Sequence, residues 1–230
     1  KLTLIRSVVC RGSSHQPNQV MQTGNLGAAP RKDPIEGPKW PAIGSIVAKH
    51  YGANDPQMPP YAALHMQHPT HLAWGGYLGK QYDPFTVGKK GPNFQLPRGL
   101  TSDRLRSRQQ LHQQLDSLRS ELDHSGSMEG LDHFTEKAFD LVAGGKAQAA
   151  FDLSRESPKT IDAYGGHDWC QQALYARRLV EAGTSFVTID LSNHPASGTW
   201  DNHGIPGGVY GGISKGLKPL MPIFDRLFTT

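Results

Sequence analysis

The chain has 230 residues, of which 37% are hydrophobic, so it can bury a core as one large domain or two small ones. Its 26 glycines and 17 prolines indicate long irregular connections and argue against a compact helical bundle. The net charge of +4 suits a small anionic substrate, whereas the scattered Lys and Arg residues give no support for nucleic-acid binding.

Regular elements are predicted to be short and widely spaced in the first hundred residues. A run of apolar and β-branched residues at 2–9 indicates a buried strand. Short helices are predicted at 18–24 and 40–52, because each stretch ends at a glycine that can serve as a C-cap. Further along, we expect a strand at 61–67 and an ordered loop at 75–85.

Longer elements are predicted in the rest of the chain. Leucines spaced by three and four residues indicate a helix at 101–126, and a second amphipathic segment follows at 128–145. A helix at 167–183 ends at a glycine and leads at once to a buried strand at 185–191. The stretch 212–228 is predicted to be helical apart from its prolines. No apolar run approaches the about 18 residues that a membrane-spanning helix needs.

The order of these elements predicts an α/β fold. A helix followed directly by a buried strand and a glycine-rich loop is typical of such folds. We expect a single domain over 1–230, with a helical insertion around 101–150. Because ligands bind beyond the carboxyl ends of the strands in open α/β sheets, the loop 192–208 is the expected place for a site.

The two cysteines and the chain ends carry less information. Cys10 and Cys170 lack the spacing of a zinc site, and we predict two buried free thiols, with a disulfide as the alternative. The sequence opens within a predicted strand and closes within a predicted helix, so we expect it to be part of a longer protein.

Two pairs of acidic and imidazole side chains flank the expected site. Asp201 and His203 lie two residues apart, and in extended backbone such side chains point to the same side. Asp190 and His194 form a rival pair at the end of the predicted strand. Carboxylate oxygen and imidazole nitrogen together suit a divalent cation such as zinc. The alternative is that an Asp–His pair forms only a hydrogen bond that tightens a loop.

Several stretches of the sequence resemble one bacterial protein family. They include FDLSRE at 151–156, ARRLVEAG at 176–183 and WDNHG at 200–204, together with PAIGSIV at 41–47 and GGYLGKQYDPF at 75–85. These segments closely resemble the DUF1501 family, whose members are frequent in planctomycetes. The resemblance spans nearly the whole chain.

The resemblance implies a fold and a chemistry. The family is grouped with the alkaline-phosphatase and sulfatase-like superfamily, which implies a mostly parallel, doubly wound sheet with a metal site for phosphoryl or sulfuryl ester chemistry. Asp201 and His203 match the family's WD-x-H motif, and Asp190 with His194 matches a more general superfamily spacing. Zinc or manganese is the expected metal. The family usually reaches this motif within a few residues of the strand, whereas SNHPASG intervenes here.

The superfamily also implies a nucleophile near the first strand. Ser14 precedes Thr23 and Gly24 at a suitable distance, and a serine at a helix start beside a metal can be activated for attack. His15 is the candidate partner of the transition state, or alternatively a residue that holds a metal ligand in place. The alternative role for Ser14 is that of an ordinary N-cap. The sulfatase maturation signature is missing after Cys10, which disfavours a formylglycine sulfatase.

Three functions are therefore considered, and the first two are favoured over the third. The first is a metal-dependent hydrolase of phosphate or sulfate esters that acts on a small anionic ester or an anionic polysaccharide. The second is a non-catalytic binding or assembly module on the same fold, and the third is nucleic-acid binding by the basic surface. Family members carry further candidate ligands before and after the matched segments, so the chain alone is expected to be inactive. The resemblance also implies an exported, periplasmic protein.

Overall fold

The structure is a computed structural model in which regular elements can be described over parts of the chain. The described residues are 17–26, 40–64, 74–88, 104, 107, 145–191, 200 and 212–230. The predicted strand at 2–9 lies outside them, as does most of the predicted helical insertion at 101–150.

Six α-helices and three β-strands occur within the described ranges. The helices are α1 (Pro17–Thr23), α2 (Ile43–Tyr51), α3 (Lys146–Phe151), α4 (Pro158–Tyr164), α5 (Asp168–Ala182) and α6 (Lys218–Thr229). The strands are β1 (Tyr61–Leu64), β2 (Phe85–Val87) and β3 (Phe186–Ile189). Short 3-10 turns and one π-helix, Gly212–Leu217, complete the set.

The three strands form one parallel sheet in the order β2-β1-β3. The central strand places Ala62 opposite Phe85 of β2 and opposite Val187 of β3. Parallel strands need crossover connections, and the described connection from β2 to β3 contains α3, α4 and α5. The predicted α/β class is therefore confirmed, as a small parallel sheet with helices.

Strand β1 is buried on both faces. Alternate side chains point to opposite sides of a strand, so Ala62 and Leu64 enter one core and Tyr61 and Ala63 enter another. The first core is covered by α3 and α5, for example by Leu179, and the second is covered by α2. All four residues are at most 2% exposed, which explains why the sequence here is apolar without alternation.

Helix α2 packs very closely on the sheet at Gly44. A Cβ atom on this residue would lie 2.7 Å from carbon atoms of both Tyr61 and Phe186. The two rings contact each other edge to face, with centroids 5.5 Å apart, and the Tyr61 hydroxyl lies 3.3 Å from Thr188 Oγ1. Burial raises the pKa of Tyr61, so this hydroxyl stays protonated.

The segment 75–85 is an ordered loop, as predicted. The Gly75 N–H donates to Asp83 Oδ1 at 2.7 Å, so that the two ends of the loop are joined around the 3-10 turns. Gly79 has a φ of +99°, a conformation that favours glycine. Burial raises the pKa of Asp83, against the opposing effect of this hydrogen bond.

An arginine–glutamate network joins α3, α4 and α5. Arg178 donates to the carbonyl oxygens of Ala149 and Ala150 at 2.7 and 2.8 Å, which satisfies the open end of α3, and it also pairs with Glu156. Arg177 donates to the same carboxylate at 2.8 Å. Hydrogen bonding from Arg178 lowers the pKa of Glu156 despite partial burial, and Arg177 adds to this effect. The FDLSRE and ARR segments therefore have a structural role.

Helix α5 has the bounds that its sequence predicts. The His167 ring caps its first turn, and Gly183 ends it with a φ of +121°. A Cβ atom at Gly183 would lie 2.5 Å from Cβ of Asp55, so glycine is also required by space. Within the helix Cys170 is a buried free thiol, as predicted, and burial raises its pKa. Cys10 lies outside the described residues.

The prediction that the prolines interrupt the last helix is wrong. Helix α6 has one proline in its first turn and continues through Pro222. The π-helix Gly212–Leu217 runs directly into α6, and each proline of α6 lacks the backbone N–H that would bond to a carbonyl oxygen of the preceding turn. Leu220 is fully buried and anchors this end of α6.

Gly44→Ala tests the close packing of α2. The added methyl group has to displace two aromatic rings of the core, and overpacking outweighs the gain in helix propensity. We expect the melting temperature to fall by roughly 5 °C. Gly166→Ala is the matched control, because a Cβ atom there meets nothing within 4 Å. An equal response of both variants in thermal unfolding would contradict the packing at Gly44.

Glu156→Gln tests the arginine network. The variant leaves Arg178 without its carboxylate and Arg177 with Glu181 alone, and we expect a loss of roughly 5 °C in melting temperature at pH 7. Because the folded-state pKa of Glu156 is lowered, its stabilisation is present above the unfolded pKa of about 4.3 and is lost as the pH falls through the folded-state value. The difference between the proteins should shrink over that range in a pH series of melting curves. A difference independent of pH would argue against the ionised pair.

Candidate functional site

The carboxyl edge of the sheet is where the sequence predicts a site. Asp190 directly follows β3, is partly buried, and donates its backbone N–H to the Leu64 carbonyl oxygen at 3.0 Å. This bond continues the parallel pairing one residue beyond the strand, so that β1 and β3 end side by side. Asp190 therefore lies at the strand end, where α/β proteins bind ligands.

Trp200 returns the chain to the same edge. Its indole Nε1–H donates to the Leu191 carbonyl oxygen at 2.8 Å, although nine positions separate the two residues in sequence. The residues SNHPASG, which intervene between the strand and the WD-x-H motif, therefore lie between two points that are in direct contact. Asp201 is the next residue along the chain.

The first turn of α5 borders this point. Trp169 is fully buried, and its ring stacks on Trp200 with centroids 5.5 Å apart and planes within 5° of parallel. The His167 ring contacts Trp169 edge to face at 5.4 Å, and its Nδ1 accepts the Trp169 backbone N–H at 3.2 Å. Because Nδ1 accepts this hydrogen bond, the neutral His167 ring carries its proton on Nε2. His167 can therefore donate a hydrogen bond from Nε2.

Aromatic contacts extend from Trp200 to α6. Phe224 lies edge to face against Trp200 at 5.8 Å, and Phe228 stacks on Phe224 at 6.0 Å. Trp200 is thereby held between α5 and α6, although 40% of its surface is exposed. Such offset and edge-to-face contacts are the arrangements that aromatic rings prefer.

The described residues include one of the six predicted site residues. Asp190 lies where the sequence predicts it, at the end of β3. The other five, Ser14, His15, His194, Asp201 and His203, lie outside the described residues. In the part of the chain that the structure describes, no group of three or more His, Cys, Asp or Glu side chains is arranged to hold a metal ion. The predicted metal ligands therefore stay predictions.

Sequence reasoning missed two residues of this region. His167 was assigned no role although it lies directly before a helix, where a side chain that accepts hydrogen bonds acts as an N-cap. Trp169 has no local signal that distinguishes it from an ordinary core residue. Its contact with Trp200 joins residues that are 31 positions apart and depends on the fold.

Comparison with known proteins gives the family. The family model described as "Protein of unknown function (DUF1501)" matches residues 1–228. The chain belongs to the DUF1501 family. No curated protein and no solved structure matches it.

The motifs of this DUF1501 protein have different places in the structure. FDLSRE and ARRLVEAG lie in the network that joins α3 to α5, away from the carboxyl ends of the strands. They contribute to the stability of the fold. The first residue of WDNHG lies at the carboxyl edge of the sheet. Within the described residues, no helix of this DUF1501 protein is long and apolar enough to cross a membrane.

Proposed function

We propose that the protein is a metal-dependent hydrolase of phosphate or sulfate esters, with a doubly wound sheet of the alkaline-phosphatase type. The observation that carries this proposal is the hydrogen bond from Trp200 to Leu191 at the end of β3. One ligand pair, Asp190 and His194, starts at that point of the chain, and the other, Asp201 and His203, follows directly after it. Asp190 itself lies at the carboxyl edge of the sheet, and Trp200, which directly precedes Asp201 in the sequence, is bonded to the chain there.

The chemistry of the donors fits a divalent cation. Two carboxylates and two imidazoles supply the oxygen and nitrogen ligands that zinc and manganese accept. When bound, such a metal polarises the ester oxygen and lowers the pKa of an attacking hydroxyl group or water. Asp190 and Asp201 would balance its charge, and His194 and His203 would complete the set.

The other predicted residues have roles around the reacting group. Ser14 is the proposed nucleophile, and His15 its partner in stabilising the transition state. The net charge of +4 suits an anionic substrate. The proposed substrates are accordingly small phosphate or sulfate esters or anionic polysaccharides. Further family segments are proposed to complete the site, and the protein is proposed to act in the periplasm.

A second function is favoured by the surface of the C-terminal segment. Ile213, Met221 and Phe228 are large apolar side chains that are 76%, 43% and 64% exposed. Exposed apolar side chains in one segment are typical of contact surfaces. A binding or assembly module that keeps the fold without catalysis would use such a surface.

Metal content separates these two functions. We expect the purified wild-type protein to retain zinc or manganese after dialysis, and the double variant Asp201→Ala, His203→Ala to retain at least tenfold less by elemental analysis, because two ligands are lost. The matched control is Asp162→Ala, His50→Ala, which removes the same two side-chain types from exposed positions on α4 and α2.

The rival ligand pair is tested in the same assay. Asp190→Asn with His194→Ala should also lower the metal content if all four residues are ligands. Metal retained by this variant and lost by the Asp201 and His203 variant would restrict the site to the WD-x-H motif. Equal metal content in all variants and the wild type would contradict the hydrolase and favour the binding module.

A further inference from the structure

We propose that His167 is a pH-sensitive switch at the start of α5, whose protonation loosens the stacked rings of Trp169 and Trp200. The side chain of His167 is the N-cap of α5, and its Nδ1 accepts the Trp169 backbone N–H at 3.2 Å. The same ring lies edge to face against the Trp169 ring, with centroids 5.4 Å apart. One imidazole therefore holds both the backbone and the side chain of Trp169.

The capping hydrogen bond exists only while Nδ1 of His167 is unprotonated. A neutral imidazole with its proton on Nε2 has a lone pair at Nδ1, whereas both nitrogens of the imidazolium ion are donors. A proton taken up from solvent at Nδ1 therefore replaces the acceptor with a second donor that faces the Trp169 N–H. The ring then has to turn away, and one of the first N–H groups of the helix loses its partner.

Histidine differs in this respect from the usual N-cap residues. The start of α4 is capped by Ser157, whose hydroxyl oxygen accepts the Thr160 N–H at 3.1 Å and does not titrate near neutral pH. Imidazole changes its charge between pH 5 and 8. The dipole of the 15-residue helix α5 adds to the effect, because its amino-terminal end disfavours a positive charge.

Two charged side chains lie beside His167 among the described residues. Asp168 follows it in the chain and favours a charged ring. Arg226 of α6 has the opposite effect, and its Nη1 would lie 2.6 Å from a Cβ atom on Gly165, two residues before His167. Trp200, which packs on the same end of α5, carries no charge. Because the two charges act in opposite directions, the loss of the cap determines the direction of the response.

The consequence reaches the carboxyl edge of the sheet through the two tryptophans. Trp169 is fully buried and stacks on Trp200, and the Trp200 indole N–H donates to the Leu191 carbonyl oxygen. When the His167 ring turns away, Trp169 loses one hydrogen bond and one edge contact, so the first turn of α5 can fray and the stack loosens. The later turns of α5 are anchored in the core by Leu179 and stay folded.

The experiment compares the pH dependence of stability in the wild type and in His167→Asn. Asparagine is a good N-cap that does not titrate, so we expect melting temperatures within about 2 °C of each other at pH 8. The unfolded chain binds a proton at His167 near pH 6.5, and in the folded chain this proton costs the cap. Stabilisation by the cap is thus present above about pH 6.5 and is lost as the pH falls below it. Between pH 8 and pH 5 the wild type should lose roughly 3 °C more than His167→Asn.

His50→Asn is the matched control. His50 is exposed in the last turn of α2, at the opposite end of a helix from a capping position. Its replacement should leave the pH response of the wild type unchanged. The circular-dichroism signal of the stacked indoles is the second measurement, and Trp200→Ala identifies this signal because it removes one of the two rings. We expect the signal to fade in the wild type below about pH 6.5 and to persist in His167→Asn.

The outcomes are independent of the proposed function, because the experiment needs neither a metal nor a substrate. Parallel pH responses of the wild type and His167→Asn overturn the inference, and so does a stack signal that stays constant from pH 8 to pH 5. If His167→Asn does not fold, the nitrogen-15 shifts of the His167 ring in the wild type decide. A proton on Nε2 at pH 8, with a second proton bound as the stack signal fades, supports the switch. A proton on Nδ1 at pH 8, or a signal that does not follow the ring, overturns it.

Discussion

The parallel pairing of β1 with both of its neighbours is the constraint on which the described fold depends. The strand has only four residues, yet it separates two hydrophobic cores and carries the register of β2 and β3. Its small central residues, Ala62 and Ala63, let helices approach on both faces. Because the strands are parallel, their carboxyl ends meet at one edge, and whatever follows them is brought together there.

At this edge Asp190 and Trp200 are both held in place by contacts with the fold. Asp190 is held by a backbone bond to β1, and Trp200 is held by α5, α6 and the end of β3. Precise sites in proteins depend on such supporting contacts as much as on the reacting groups themselves. Two further sets of contacts, around Glu156 and Gly44, lie away from this edge. The first holds helices to one another, and the second holds α2 against the sheet.

Local signals made part of the fold predictable. The end of α5 follows from the glycine at 183, and the position of β3 follows from a short β-branched run, both of which are local signals. The continuation of α6 through Pro222 was not predicted, because the anchoring of Leu220 depends on tertiary packing and not on local sequence. The strand order and the Arg178 network join distant segments, and no local pattern encodes them.

Only part of the candidate site could be predicted from the sequence, as was the case for the fold. The position of Asp190 at a strand end follows from the sequence, because strand and loop are adjacent in the chain. The contact of Trp169 with Trp200 depends on the packing of α5 and has no signature in the sequence around either tryptophan. The assignments of Ser14, His15, His194, Asp201 and His203 stay predictions, since these residues lie outside the described part.

The contact between Leu191 and Trp200 has an evolutionary consequence. A segment whose two ends are fastened to each other can gain or lose residues without shifting what comes after it. Selection can therefore vary the length and composition of 192–199 while Trp200 keeps its place beside the end of β3.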